Sequence, residues 1–149
     1  YLYGDNKNLE KKKFIRSIKN LRLKNQVPYK EISKILSTMD VLIMPYTSSV
    51  TVSGDVGDIT NFTSPLKLFD YLSMGKTILC SNLNVLREVV KEKKNVVFIN
   101  NFENIYAWKN EIDKIKILNE KRLIISKNNF DLSKRYTLKN RAKKILENI

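Results

Sequence analysis

Thr63-Ser64-Pro65-Leu66-Lys67-Leu68-Phe69-Asp70-Tyr71-Leu72-Ser73-Met74-Gly75-Lys76 is the stretch on which the reading of this chain turns. It has the marks of a helix with a defined start and stop. The Ser64 hydroxyl suits the N-cap, where it can accept from the free amides of the first turn. Pro65 suits the first helical position, because its missing N–H is not needed there. Gly75 suits the position just past the end, where the backbone turns left-handed. Leu66, Phe69, Leu72 and, in part, Met74 give one apolar face, with Lys67, Asp70 and Tyr71 on others. A helix that opens this way presents amides and a positive dipole end, which can hold a phosphate. Capping signals are common, so on its own the helix reads first as an ordinary element of an α/β domain.

The flanks sharpen that reading. Val41-Leu42-Ile43-Met44 is a continuous apolar run closed by Pro45, as a strand buried on both faces requires. Residues 46–62 are a long polar loop that holds two of the four glycines, Gly54 and Gly57. Such a loop after a buried strand is either a functional lid or mobile surface, and the capped helix behind it favours function. Thr77 to Ser81 is the next strand, with Cys80 as a plain core thiol. Asn82 or Asn84 caps a short helix through Val90, and Lys91-Glu92-Lys93-Lys94 is a solvated turn. Asn95-Val96-Val97-Phe98-Ile99 is another buried strand. Upstream, Leu2-Tyr3 ends a strand that turns at Gly4. Asn8 or Asn6 caps a helix from about Leu9 to Asn20, Leu21 to Lys24 is a short strand, and Lys30 to Thr38 is a helix. From Phe102 onward the chain reads as helical: 102–118, with Trp108 as a core or interface anchor, then 120–129 and 137–148.

Strand and helix alternate, and several strands are continuous apolar runs. The fold expected is α/β, a Rossmann-like doubly wound parallel sheet with carboxyl-terminal helices, forming one partial domain over 1–149. Ligands of such sheets sit beyond the carboxyl ends of the strands. Gly4-Asp5, Val27-Pro28-Tyr29, Pro45-Tyr46, the 46–62 loop and Thr63-Ser64-Pro65 all fall on that edge. It therefore reads as a nucleotide-type cleft with a phosphate at the Ser64 helix.

Composition sets the bounds. The chain has 149 residues, 42% of them apolar, enough for a real core. One cysteine and no histidine exclude a disulfide framework, a zinc site and a Ser-His-Asp triad within it. No apolar run reaches the roughly 18 residues of a membrane span. The chain opens inside an apolar run without Met, as a piece of a longer protein would. Its net charge is +13, from 28 Lys and Arg against 15 Asp and Glu. That invites an acidic partner. The lysines are spread along the chain in company with Asn, and only Lys11-Lys12-Lys13 and the tail after Lys134 are dense. A general Lys and Asn bias explains this at least as well as a functional patch. If a patch exists, an anionic membrane fits it better than nucleic acid.

The central stretch, with Asp40-Val41-Leu42-Ile43-Met44-Pro45-Tyr46 ahead and Asn84-Val85-Leu86-Arg87-Glu88-Val89-Val90 behind, resembles the carboxyl-terminal, donor-binding domain of GT-B glycosyltransferases. It is most similar to glycosyltransferase family 4, the glycosyl transferases group 1 family, over nearly the whole chain. The resemblance implies transfer of a sugar from a nucleotide diphosphate to a glycan or lipid acceptor, with retention at the anomeric carbon. It implies no cofactor and no metal. Thr63, Ser64, Pro65, Leu66 and Lys67 would hold the diphosphate, through the Ser64 hydroxyl and the Leu66 and Lys67 amides. Asp70 would take the ribose hydroxyls, replacing the family's second glutamate with a carboxylate one methylene shorter. The family's first glutamate falls at Phe62 and is absent. Val27, Pro28 and Tyr29 would lie near the base, with Gly4, Pro45 and Tyr46 on the cleft edge. Tyr136 to Ala142 resembles the closing helix that crosses back to the partner domain.

The family's catalytic cations follow the first strand of the domain, and by this resemblance the chain is expected to begin at the second. The usual strand order, 3-2-1-4-5-6, then leaves a gap between the strands at Leu2 and Val41. The segment alone is expected to be inactive, its parent a cytoplasmic enzyme, peripheral at the inner face of the membrane. Two alternatives stand beside this: a GT-B nucleotide-sugar epimerase, and a basic module for nucleic acid or anionic membrane.

Overall fold

Strands and helices alternate in the order that the apolar runs predict. The computed structural model describes residues 1–3, 9–47, 65–117 and 119–147. In chain order these form β1 (Leu2–Tyr3), α1 (Leu9–Ser17), β2 (Leu23–Lys24), α2 (Tyr29–Ser37), β3 (Val41–Met44), α3 (Leu66–Ser73), β4 (Thr77–Ser81), α4 (Asn84–Arg87), β5 (Val96–Ile99), α5 (Ile105–Ile117) and α6 (Asn119–Ser133). A 3-10 turn (Lys134–Tyr136) and α7 (Leu138–Leu146) follow. They fall into two compact units, Tyr1–Ile35 and Leu36–Ile149. In the first, β1 pairs with β2 in parallel, Leu2 opposite Leu23. In the second, β3, β4 and β5 form a parallel sheet in that order. Among the described residues these are two separate sheets.

Every residue of β4 is buried, because both faces of its sheet are covered. Successive strand side chains point to opposite faces. Ile78 and Cys80 join Met44, Val96 and Phe98 on one face, under Leu68 and Leu72 of α3 and Leu86 of α4. Leu79 points the other way and packs with Ile99 against Ile115, Ile112 and Trp108 of α5. The doubly covered parallel sheet expected from the continuous apolar runs is thus present. Trp108 is the anchor it was expected to be: its ring lies in this second cluster and its indole N–H donates to Phe102 O at 2.7 Å.

Three contacts of α6 run along the amino edge of the sheet. Arg122 pairs with Asp40 at 3.1 Å. Asn128 Nδ2 donates to Lys94 O at 3.0 Å, and Asn129 Nδ2 to Lys76 O at 2.8 Å. Gly75 takes φ +57, as expected past a helix end, and a Cβ there would lie 3.2 Å from Ser126 O of α6. Only glycine fits both the left-handed turn and the close approach.

Three local expectations are corrected. Pro65 is the N-cap of α3 rather than its first helical residue, with φ −80 and ψ 69. Of the expected face, Leu72 is buried and Phe69 packs on the core, but Leu66 is 72% exposed and Leu68 is buried instead. Leu68 takes that place because α3 lies against both the sheet and α6. At α4 neither Asn82 nor Asn84 caps the helix; Leu83 is the N-cap residue. The Asn82 side chain is engaged elsewhere, accepting from Arg87 Nε at 2.6 Å and donating to Asn100 Oδ1 at 2.7 Å.

The two edges of the larger sheet differ. Beside β5 the Glu92 carboxylate accepts from Phe98 N at 3.1 Å, and Lys93 N donates to Val96 O at 2.8 Å. These bonds occupy backbone groups that an edge strand otherwise presents to other chains. No such plug lies beside β3 among the described residues.

Candidate functional site

The carboxyl ends of β3, β4 and β5 share one edge, because the strands are parallel. β3 leaves it through Pro45 and Tyr46. Ser81, the last residue of β4, fixes that exit. Its hydroxyl accepts from Tyr46 N and donates to Tyr46 O, both at 2.8 Å. One side chain thus satisfies both backbone groups of the residue that opens the loop. The Tyr46 ring is half-buried against the core, beside Tyr71 of α3. Burial, and then Cys80, push the Tyr46 phenol above its usual range. Burial raises Tyr71 as well, followed by Tyr46 and by the Asp70 carboxylate. Tyr46, Tyr71 and Asp70 therefore form one neighbourhood where the loop after β3 and the helix α3 meet the edge.

α3 begins on this edge, since it must cross back to start β4 at the opposite one. Leu68 N closes its first turn on Pro65 O at 2.8 Å. The amides of Leu66 and Lys67 precede that bond and have no partner within the helix. The first turn carries no acidic residue, so nothing in it opposes the positive dipole end. The Lys67 side chain is exposed, and Asp70 is half-buried one turn further on.

Of the residues singled out from sequence, Pro65, Leu66, Lys67 and Asp70 line up on α3, and Pro45 and Tyr46 stand on the same edge of the sheet. Thr63, Ser64 and Gly4 lie outside the described residues. Val27, Pro28 and Tyr29 belong to the first unit, where Pro28 O accepts from Glu31 N at 2.9 Å and opens α2. Sequence reasoning missed Ser81 and set Tyr71 aside. The available signal for Ser81 was a hydroxyl ending an otherwise apolar strand. A second polar group on the edge is the Asn82–Arg87–Asn100 network, with the Arg87 guanidinium 4.5 Å above the Phe98 ring.

This edge, with a helix opening onto it, is where relatives become informative. The family model described as glycosyl transferases group 1 matches residues 2–131. The chain belongs to the glycosyl transferases group 1 family. Among solved structures it is similar to HepE of Anabaena in complex with UDP, with TM-score 0.70 and 11% identity over 99% of this chain and 40% of that one. HepE in complex with UDP-glucose gives TM-score 0.71 at 16% identity, again over 99% and 40%. A glycosyltransferase from Rickettsia africae gives TM-score 0.63 at 14% identity, over 87% of this chain and 31% of that one. No curated protein sequence matches significantly. This group 1 chain therefore spans 40% or less of the length of these structural neighbours. The α/β fold expected from the resemblance is the fold they share with it.

Proposed function

We propose that this segment is the donor-binding domain of a retaining glycosyltransferase, and that it holds a nucleotide-diphosphate sugar at the start of α3. The observation that carries this reading is the opening of α3, with first-turn amides that have no partner within the helix and no acid in that turn, on the same edge as Tyr46 and Asp70. Membership of the group 1 family supports it, as do the neighbours captured with UDP and UDP-glucose. When the bond from the anomeric carbon to the diphosphate oxygen breaks, charge grows on the diphosphate. The amides of Leu66 and Lys67, with Ser64 ahead of them, stabilise that charge where another enzyme uses a metal. The Asp70 carboxylate accepts from the ribose hydroxyls. The acceptor, a glycan or a lipid, and the cations that complete catalysis belong to the parent chain, which works in the cytoplasm at the inner face of a membrane.

The test is titration of UDP, GDP and ADP into the full-length parent, beside its Asp70→Ala variant with unchanged thermal unfolding. Losing a hydrogen-bonding charge costs about 1.5–3 kcal/mol, so affinity for the preferred nucleotide falls about 10- to 100-fold. Equal binding by the variant would sink the ribose assignment.

A further inference from the structure

Ser81 holds a residue of the candidate site that is remote from it in the chain. The ladder between β3 and β4 ends with the pair Met44–Cys80. Pro45 comes next and has no N–H, so the backbone ladder cannot continue through it. The Ser81 side chain takes over one residue further on, with its two bonds to Tyr46 N and Tyr46 O at 2.8 Å. They use the one proton of the hydroxyl and one of its two lone pairs. Ser81 has no exposed surface, so water does not compete for either bond. On its other side Ser81 lies opposite Ile99 of β5, whose carbonyl accepts from Asn82 N at 3.1 Å. The clamp is thus mounted on the central, fully buried strand. What it holds reaches further than the chain exit. The Tyr46 and Tyr71 rings pack against one core cluster. Tyr71 follows Asp70 on α3, and its phenol feels both Tyr46 and the Asp70 carboxylate.

We propose that Ser81 is a positioning residue of the nucleotide site: it fixes the Tyr46 backbone, the Tyr46 ring braces α3 beside Tyr71, and Asp70 is thereby held where the ribose hydroxyls meet it. This inference rests on the reading of α3 as the nucleotide site. Ser81 is buried and acts only through Tyr46. A carboxylate aimed before the nucleotide arrives loses little freedom on binding, so the clamp acts on affinity. Without the hydroxyl, Tyr46 N and Tyr46 O lose these bonds in a half-buried place. The residue then turns or draws in water to satisfy them, and the ring moves with its backbone.

Titration of UDP, GDP and ADP into the full-length parent tests this, with Ser81→Ala, Tyr46→Ala and the double variant measured beside it. The titrations are run well below every unfolding transition, where a protein that is merely less stable binds as wild type does. Ser81→Ala is expected to weaken the preferred nucleotide about 3- to 10-fold, the scale of one neutral hydrogen bond. Tyr46→Ala is expected to weaken it at least as much. The double variant should bind no worse than Tyr46→Ala alone, because the hydroxyl acts through that ring. If Ser81→Ala does not fold, the half-buried Tyr46→Ala decides. Three outcomes overturn the proposal: a Ser81→Ala protein that unfolds earlier but binds as wild type does, a Tyr46→Ala protein with unchanged affinity, or losses from the two sites that add. In each of these the wild type still binds and Asp70→Ala still fails, so the reading of α3 survives. A wild type that binds none of the three nucleotides sinks that reading and the clamp with it.

Discussion

Cys80 has no exposed surface, and burial raises its thiol pKa to about 12, with Glu92 adding to the shift and Arg87 opposing it. The folded chain therefore keeps its proton where the unfolded chain, at the ordinary value of 9.0, releases it. Stability from the neutral thiol is complete below pH 9 and is lost as the pH rises toward 12, at about 1.4 kcal/mol per unit per proton. Tyr46 and Tyr71, also raised, add to this loss from their ordinary value of 10.0 upward. The urea midpoint is expected to fall steeply above pH 9, and less steeply in Cys80→Ala. Equal slopes would show that the thiol is not what titrates. Ser81, one position on, was not legible as a site residue. Its two bonds reach a residue 35 positions away, a pairing that only the register of β3 with β4 creates.

At the scale of elements, the joint between α3 and α6 depends on Gly75. A methyl group there meets Ser126 O at 3.2 Å and Phe130 Cβ at 3.4 Å, on a backbone already at φ +57. Gly75→Ala should destabilise by about 1–2 kcal/mol from the left-handed backbone alone, with the crowding in addition. A denaturant midpoint equal to wild type would mean that the turn relaxes. Gly75 was legible because a helix stop is a local demand on one residue. So were Val41–Met44 and Thr77–Ser81, since an unbroken apolar run has one good explanation in an α/β chain. The inner face of α3 was legible at Phe69 and Leu72 but not at its start. Leu66 and Leu68 fit helical spacing equally well there, and the choice is made by α6 and the sheet. The capping asparagines failed for a related reason: Asn82 finds stronger partners in Arg87 and Asn100.

At the scale of the molecule, the order of elements and the family were legible throughout, and the site only in part. The α3 residues were marked by their own helix signals. Tyr46 took its place through a strand end, and the base-side loop lies in the other unit.

The bonds beside β5 have a practical consequence. With Glu92 holding Phe98 N and Lys93 holding Val96 O, β5 offers less of its backbone to a strand from another molecule. Glu92→Ala, which frees Phe98 N, should make the chain more prone to self-associate. Analytical ultracentrifugation checks this, and a distribution of species equal to wild type would contradict it.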